Sequence, residues 1–306
     1  MRSRGLISAA CQFTWFHTGL REPMQLFAPA KINLSCKVLR RRADGFHEIE
    51  TLMAPISLCD ELTIEPNESG PGIVFACDDS SLPADEDNLV VRAARAFYAE
   101  INEEPRVRVA LQKKIPHGAG LGGGSSDAAS TLLGLNERHG RRLTRARLTS
   151  LAAGIGSDVP FFLAQSGAWC RGRGEIVESV GPLPELALLL LKPEFGVPTP
   201  WAYERWRDSR ELPGVDYSAQ VVGALTLLND LERPVFEKHL FLARMKVWLR
   251  EQPEIAAALL SGSGSTMFAV LHDAAAADVL AGRARAELDP ALWACATRIT
   301  VSGPEE

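Results

Sequence analysis

The 306 residues are 46% hydrophobic and 23% charged, a balance that supports a sizeable core and a soft prior of two domains. A net charge of -5 and a pI near 5.8 exclude a broad electrostatic footprint on nucleic acid or an anionic membrane, though not a local basic pocket for phosphates. Cys11, Cys36, Cys59, Cys77, Cys170 and Cys295 are scattered without any CxxC, no two histidines stand at metal-ligand spacing, and no apolar run approaches the roughly 18 residues that span a bilayer. The expectation is a cytoplasmic chain with reduced thiols, no structural metal and small molecules as partners.

Residues 1–23 carry Arg2, Arg4 and Arg21 against one acid, Glu22, with no clear cleavage site, and Met24 stands directly before a strand pattern. This N-terminal extension is set outside the expected fold. From Met24, Ile32, Leu34, Cys36 and Val38 alternate with Lys31, Asn33, Ser35 and Lys37, which predicts a half-buried strand with Lys31 and Asn33 on its polar face. Asp44-Gly45 is a turn, and Ile49 to Ile64 continues an antiparallel sheet. Asn88 caps a helix through Tyr98, Val107 to Leu111 is a strand, and Ala128 to Glu137 a helix. Thr144 caps another helix to Ile155, Pro160 starts a short one, and Gly167 to Val180 is a hairpin. A second unit opens near Pro182 with a buried strand, Leu186 to Leu191, and a helix begun by Thr199-Pro200. Val221 to Leu231 and Val235 to Arg250 read as helices, Thr266 to Leu271 as a strand, Asp273 to Leu288 as a capped helix and Trp293 to Val301 as a strand. Hairpins mixed with crossovers predict an α+β architecture rather than a doubly wound parallel sheet.

Between Pro116 and Ser126 stand five glycines and two serines, joining a strand to a helix. Such a loop aims successive backbone N–H groups and a helix dipole at one point, which suits a phosphate, and side chains would block the approach. Gly118, Gly120 and Gly123 also satisfy G-x-G-x-x-G, but no strand ending in an acid follows about 20 residues on, so a dinucleotide fold is disfavoured. No lysine follows as G-K-[ST], and neither HRD nor DFG occurs, so the P-loop and protein-kinase readings fail.

Pro29-Ala30-Lys31-Ile32-Asn33-Leu34, the loop from Pro116 to Ala129, and the late glycine loop Ser261 to Ser265 occur in the order found in the galactokinase, homoserine kinase, mevalonate kinase and phosphomevalonate kinase (GHMP) superfamily, which the chain resembles from Phe27 to Val301. Arg42-Ala43-Asp44-Gly45-Phe46-His47, Glu86-Asp87-Asn88-Leu89, Gly156-Ser157-Asp158-Val159-Pro160-Phe161 and Pro198-Thr199-Pro200 look like the patterns of a branch whose acceptor alcohol carries a cytidine diphosphate group. The family more often has Tyr where Phe46 stands and Asn where Asp127 stands.

The resemblance implies a two-domain α+β GHMP kinase fold: a ribosomal-protein-S5-domain-2-like ATP-binding domain over 24–181 and a ferredoxin-like α/β sandwich domain for substrate over 182–306. It implies Asp158 as catalytic base and Lys31 beside it, holding the carboxylate ionised. On position alone, Asp158 would be a helix cap and Lys31 a solvated strand lysine. Phe46 and His47 would recognise the cytosine, with Tyr203 as a second stacking face and Asn33 and Thr199 near the acceptor; the competing reading is a hairpin packed by its own aromatics. ATP would lie against Asn88, Pro116, Gly118, Ala119, Gly120, Leu121, Gly122, Gly123, Gly124, Ser125 and Ser126, with Mg²⁺ arriving on the nucleotide. The reaction implied is ATP-dependent phosphorylation of that alcohol, by a monomer or homodimer. Two other readings stay open here: a superfamily kinase for a cytosine-free alcohol, and a non-catalytic nucleotide- or RNA-binding module.

Overall fold

A computed structural model describes residues 22–300. The chain runs β1 (Met24–Arg41), β2 (His47–Pro66), β3 (Gly72–Cys77), α1 (Leu89–Ile101), β4 (Arg106–Gln112), α2 (Gly123–Arg138), α3 (Arg145–Ile155), α4 (Val159–Ala164), β5 (Ala168–Gly172) and β6 (Ile176–Ser179). It continues with β7 (Ala187–Lys192), α5 (Thr199–Arg205), β8 (Gln220–Val222), β9 (Leu225–Asn229), α6 (Glu232–Lys238), α7 (Leu240–Arg250), β10 (Ile255–Leu260), β11 (Met267–Leu271), α8 (Ala277–Glu287) and β12 (Trp293–Arg298). The α+β expectation holds. One sheet has the order β3-β4-β2-β1-β9-β8 with β5 and β6 branching from β2, and a second, antiparallel sheet has the order β10-β11-β7-β12.

The two sheets pack face to face, and each carries helices on its other side. Leu188 and Leu190 of β7 join Ile32 and Leu34 of β1 between the sheets, while Leu189 and Leu191 pack towards α6, α7 and α8. Being covered on both faces is why β7 reads as an unbroken leucine run. On β1, Met24, Leu26 and Ala28 pack on the helix side with α1 and α2, but Ala30, Ile32 and Leu34 face the second sheet. The pairing register of β1 with β2 shifts between Pro29 and Lys31, and this bulge exchanges the faces, turning Lys31 and Asn33 to the side where α2 begins.

The structure departs from the sequence expectations at several points. The polar face of β1 is buried rather than solvated, with Lys31, Asn33 and Ser35 at 4%, 5% and 3% exposure: Lys31 and Asn33 form the floor of a cavity, and Ser35 Oγ accepts from Leu52 N at 3.3 Å. Val221 to Leu231 is the hairpin β8–β9, not a helix; Gly223 has φ +58, which suits a turn, and Leu228 and Asn229 pair with Ser35 and Cys36 in parallel. The helix expected over Val235 to Arg250 breaks at His239 into α6 and α7. Helix α2 starts at Gly123, inside the glycine loop, after Gly122 turns the chain with φ +71. Cys36, Cys77, Cys170 and Cys295 are free thiols, but Cys59 is disulfide-bonded, which corrects the all-thiol expectation. Among the described residues, no helix is long and apolar enough to cross a membrane.

Within the second half, Lys246 of α7 and Glu232 of α6 form an ion pair with both side chains 2% exposed, and the other Glu232 oxygen accepts from Leu260 N at 3.0 Å. Removing one member of such a pair strands a buried charge. Glu232→Ala is expected to lower the unfolding free energy by about 3–5 kcal/mol in urea titration, and a loss under about 1 kcal/mol would show the pair to be dispensable.

Candidate active site

A cavity of about 770 Å³ opens where β1, α2, α4 and α5 meet, and its walls come from both halves of the chain. Every candidate site residue named from the sequence lines it except Ser126. Ser126 is fully buried behind the wall, and its Oγ has no hydrogen-bond partner.

The glycine loop is built as its composition requires. Ser126 N donates to Gly122 O at 2.9 Å, the first helical bond of α2, so the N–H groups of Gly123, Gly124 and Ser125 lack intrahelical partners and face the cavity. Gly120 has φ +75, and a Cβ there would stand 2.3 Å from Ser261 O and 2.9 Å from Gly264 O. The early and late glycine loops therefore touch backbone to backbone. Thr266 N donates to Ala119 O at 3.2 Å and Ser261 Oγ to Gly120 O at 3.0 Å, completing the join.

Lys31 lies under this junction. Its Nζ donates to Asn33 Oδ1 at 2.7 Å and Gly120 O at 2.9 Å, and Asp158 Oδ2 is 3.7 Å away. Asn33 in turn donates to Thr51 Oγ1 at 2.8 Å, which fixes its oxygen towards the lysine. Asp158 occupies the N-cap position of α4, yet its side chain makes no capping hydrogen bond. It points instead at the cavity and Lys31, about one-third exposed.

Also lining the cavity, His47 stacks on Tyr203 with centroids 5.7 Å apart and planes 24° from parallel. Burial, then the charge of Arg41, lowers the His47 pKa, so near neutral pH the ring is uncharged and offers one donor and one acceptor. Phe46, 49% exposed, lies under the guanidinium of Arg173 at 4.8 Å. Thr199 is the first residue of α5, and its Oγ1 lies 2.7 Å from Ser263 Oγ of the late loop. Asn88 caps α1 by accepting from Val90 N at 2.9 Å, donates to Pro83 O at 2.9 Å and still lines the cavity.

Sequence reasoning missed several lining groups. Lys113, three residues before Pro116, sits between two acids: its Nζ donates to Asp60 Oδ2 at 2.5 Å and Asp127 Oδ2 at 2.8 Å. Burial pushes the Asp127 pKa up to about 8 against the pull of Lys113, and its Oδ1 has no partner. A lysine immediately upstream of a phosphate-type loop was a usable signal. Gly262 and Ser263 also line the cavity; the late loop was recognised, but none of its residues was placed in the site. Arg173, in a Gly-Arg-Gly turn, carried no signal at all.

A cleft that joins a glycine loop at a helix start to a lysine–aspartate pair is the arrangement of GHMP kinases, and residues 88–166 match the family model described as the GHMP kinases N terminal domain. The chain is 42% identical over 272 residues to the 4-diphosphocytidyl-2-C-methyl-D-erythritol kinase of Methylacidiphilum infernorum, covering 87% of this chain and 93% of that one. A crystal structure of 4-(cytidine 5'-diphospho)-2C-methyl-D-erythritol kinase superposes with TM-score 0.74 at 36% identity, covering 90% of this chain and 100% of that one. The homoserine kinase of Cytophaga hutchinsonii shares the fold, with TM-score 0.58 at 17% identity over 94% of this chain and 97% of that one. The chain belongs to the 4-diphosphocytidyl-2-C-methyl-D-erythritol kinase family of the GHMP kinases.

Two glycines separate backbone strain from loop contact. Gly118 (φ +63) has open space around an added Cβ, whereas Gly120 meets two carbonyl oxygens. Gly118→Ala should cost about 1–2 kcal/mol, the price of a left-handed non-glycine residue, and Gly120→Ala clearly more in the same denaturant titration. Equal losses would show that the two loops part without cost.

The raised Asp127 pKa has a defined sign. A carboxyl whose folded pKa lies above its unfolded value of 3.8 favours folding when protonated, and that contribution is lost as pH rises towards about 8. Asp127→Asn should therefore gain stability relative to the parent as pH increases across this window. A constant difference in urea midpoint over the same range would disprove it.

Proposed function

We propose that the protein transfers the terminal phosphoryl group of ATP to the 2-hydroxyl of 4-diphosphocytidyl-2-C-methyl-D-erythritol, a step of the non-mevalonate (methylerythritol phosphate) isoprenoid pathway. The observation that carries this reading is Asp158: it stands where a helix cap belongs, leaves the cap unmade, and faces Lys31 in a cavity that also holds the unpaired N–H groups of α2. A capping aspartate would bond its helix and have no need of a lysine.

In this reading Asp158 accepts the hydroxyl proton as the alcohol oxygen attacks the γ-phosphorus in line and ADP leaves, with no covalent phosphoenzyme. Lys31 stands beside the carboxylate and offsets charge on the attacking oxygen, and its bonds to Asn33 and Gly120 O hold it in place beforehand. The N–H groups of Gly123, Gly124 and Ser125 receive phosphate oxygens, and Asn88 and Pro116 border the rest of the nucleotide. Phe46, His47 and Tyr203 take the cytosine between aromatic faces, and the neutral imidazole suits a base edge with both donors and acceptors.

Mg²⁺ is part of the proposal as a companion of ATP that neutralises phosphate charge. The Ser125 hydroxyl and the unpartnered Asp127 Oδ1, both on lining residues, and the unpartnered Ser126 Oγ behind the wall are oxygens of the right chemistry, few in number, which fits a cation bound largely through phosphates. Residues 24–181 supply the nucleotide loop and the catalytic pair, and residues 182–306 supply Thr199, Tyr203 and the late loop to the acceptor side.

Phosphorylation assays with 4-diphosphocytidyl-2-C-methyl-D-erythritol, homoserine and mevalonate as acceptors test the reading. Turnover is expected on the first alone, and activity confined to a cytosine-free alcohol would refute it. Asp158→Asn should lower kcat by about 10²- to 10⁴-fold, roughly 3–5 kcal/mol of barrier, with ATP affinity retained. Full activity in that variant would remove Asp158 from the mechanism.

A further inference from the structure

The proposed acceptor is a base and an alcohol joined through a diphosphate, and this inference rests on that reading. Its two ends are assigned to different residues of the cavity, the aromatic group of Phe46, His47 and Tyr203 and the Lys31–Asp158 pair, so the two negative phosphates lie between them. Of the cations that line the cavity, Lys31 is held by Asn33, Gly120 O and Asp158, and Lys113 by Asp60 and Asp127.

Arg173 is differently placed. It sits in the turn between β5 and β6, its guanidinium carbon 4.8 Å from the centre of the Phe46 ring. The next residue, Gly174, backs onto the catalytic turn: a Cβ there would lie 3.6 Å from Ser157 O and 3.7 Å from Asp158 Oδ1. One turn thus touches both ends of the path. The ion pair from Arg173 Nε to Glu175 Oε1 spans 3.8 Å, beyond hydrogen-bond reach, and the other Glu175 oxygen accepts from the Arg173 backbone at 2.6 Å. Asp44, the acid that shares this wall, is engaged by Arg42 at 2.9 Å.

We propose that Arg173 is a specificity-determining residue that binds the diphosphate of the acceptor, its guanidinium resting on Phe46 and turned towards the anion. Arginine suits this task because its planar fork pairs with phosphate through two donors while its face stacks on an aromatic ring. The competing role is structural, a clamp that merely steadies Phe46, and binding of cytidine against cytidine diphosphate separates the two.

With the nucleotide site saturated by a non-hydrolysable ATP analogue, the parent protein should bind cytidine diphosphate at least about tenfold more tightly than cytidine. Arg173→Gln should weaken cytidine diphosphate about tenfold and cytidine less than about twofold, with affinity for the ATP analogue unchanged, and Arg173→Lys should recover part of the loss. Equal losses for both ligands, or none for the diphosphate, would overturn the assignment. Should Arg173→Gln not fold, the parent serves alone: added salt must weaken cytidine diphosphate more than cytidine, and an equal response refutes the proposal. A parent protein that binds neither ligand would instead defeat the cytosine reading itself.

Discussion

The Lys31 ammonium is nearly removed from water, and a charge in that position is tolerated only where oxygens replace its hydration. Those oxygens come from three separate parts of the chain: Asn33 on the same strand, the Gly120 carbonyl of the early loop and the Asp158 carboxylate at the start of α4. The bulge near Pro29 turns the lysine to this side, Gly120 admits the late loop against the early one, and the open cap of α4 leaves Asp158 available. Each feature is a condition on satisfying one cation, which is why the site and the fold cannot be described independently.

The same logic recurs under the phosphate loop. Lys113 lies between Asp60 and Asp127, and Asp60 Oδ1 also accepts from Lys114 N and Ile115 N at 2.6 and 2.8 Å. This network ties the end of β4 to β2 and to Asp127 of α2, so the strand that leads into the glycine loop is anchored by charge as well as by packing. Asp127 lies one turn into α2, and Lys113 beside it brings a positive charge under the start of that helix. The raised pKa of Asp127 reflects first its burial and, to a lesser degree, the neighbouring Asp60 carboxyl, against the pull of Lys113.

What was legible in the sequence was what depends on local chemistry. The glycine loop, the alternation of β1, the Asn88 and Thr144 caps and the Asp158 turn each carry their reason within a few residues. What was not legible depends on partners far along the chain. Val221 to Leu231 has apolar spacing compatible with a helix, and its strand state is decided by pairing of Leu228 and Asn229 with β1. β3 and β10 went unrecognised, the former being a half-buried strand at the sheet's end and the latter an alanine-rich run that is strand only because β11 pairs with it. Within the site, residues of the glycine loop and aromatic pair could be named in advance, and Lys113 stood beside that loop, whereas Arg173 reaches the cavity through a turn whose direction no spacing encodes.

The pairing of β9 with β1 also sets an order of events during synthesis. The first sheet gains its last strands only after residue 229 has been made, and the late loop that closes over Lys31 follows another thirty residues later. A partly synthesised chain that has released its first half therefore holds an unfinished sheet edge and a lysine with part of its enclosure missing. Such an edge invites pairing with other chains until it is filled. Residues 225–229 therefore complete the sheet, and the late loop completes the site, from the same half of the chain.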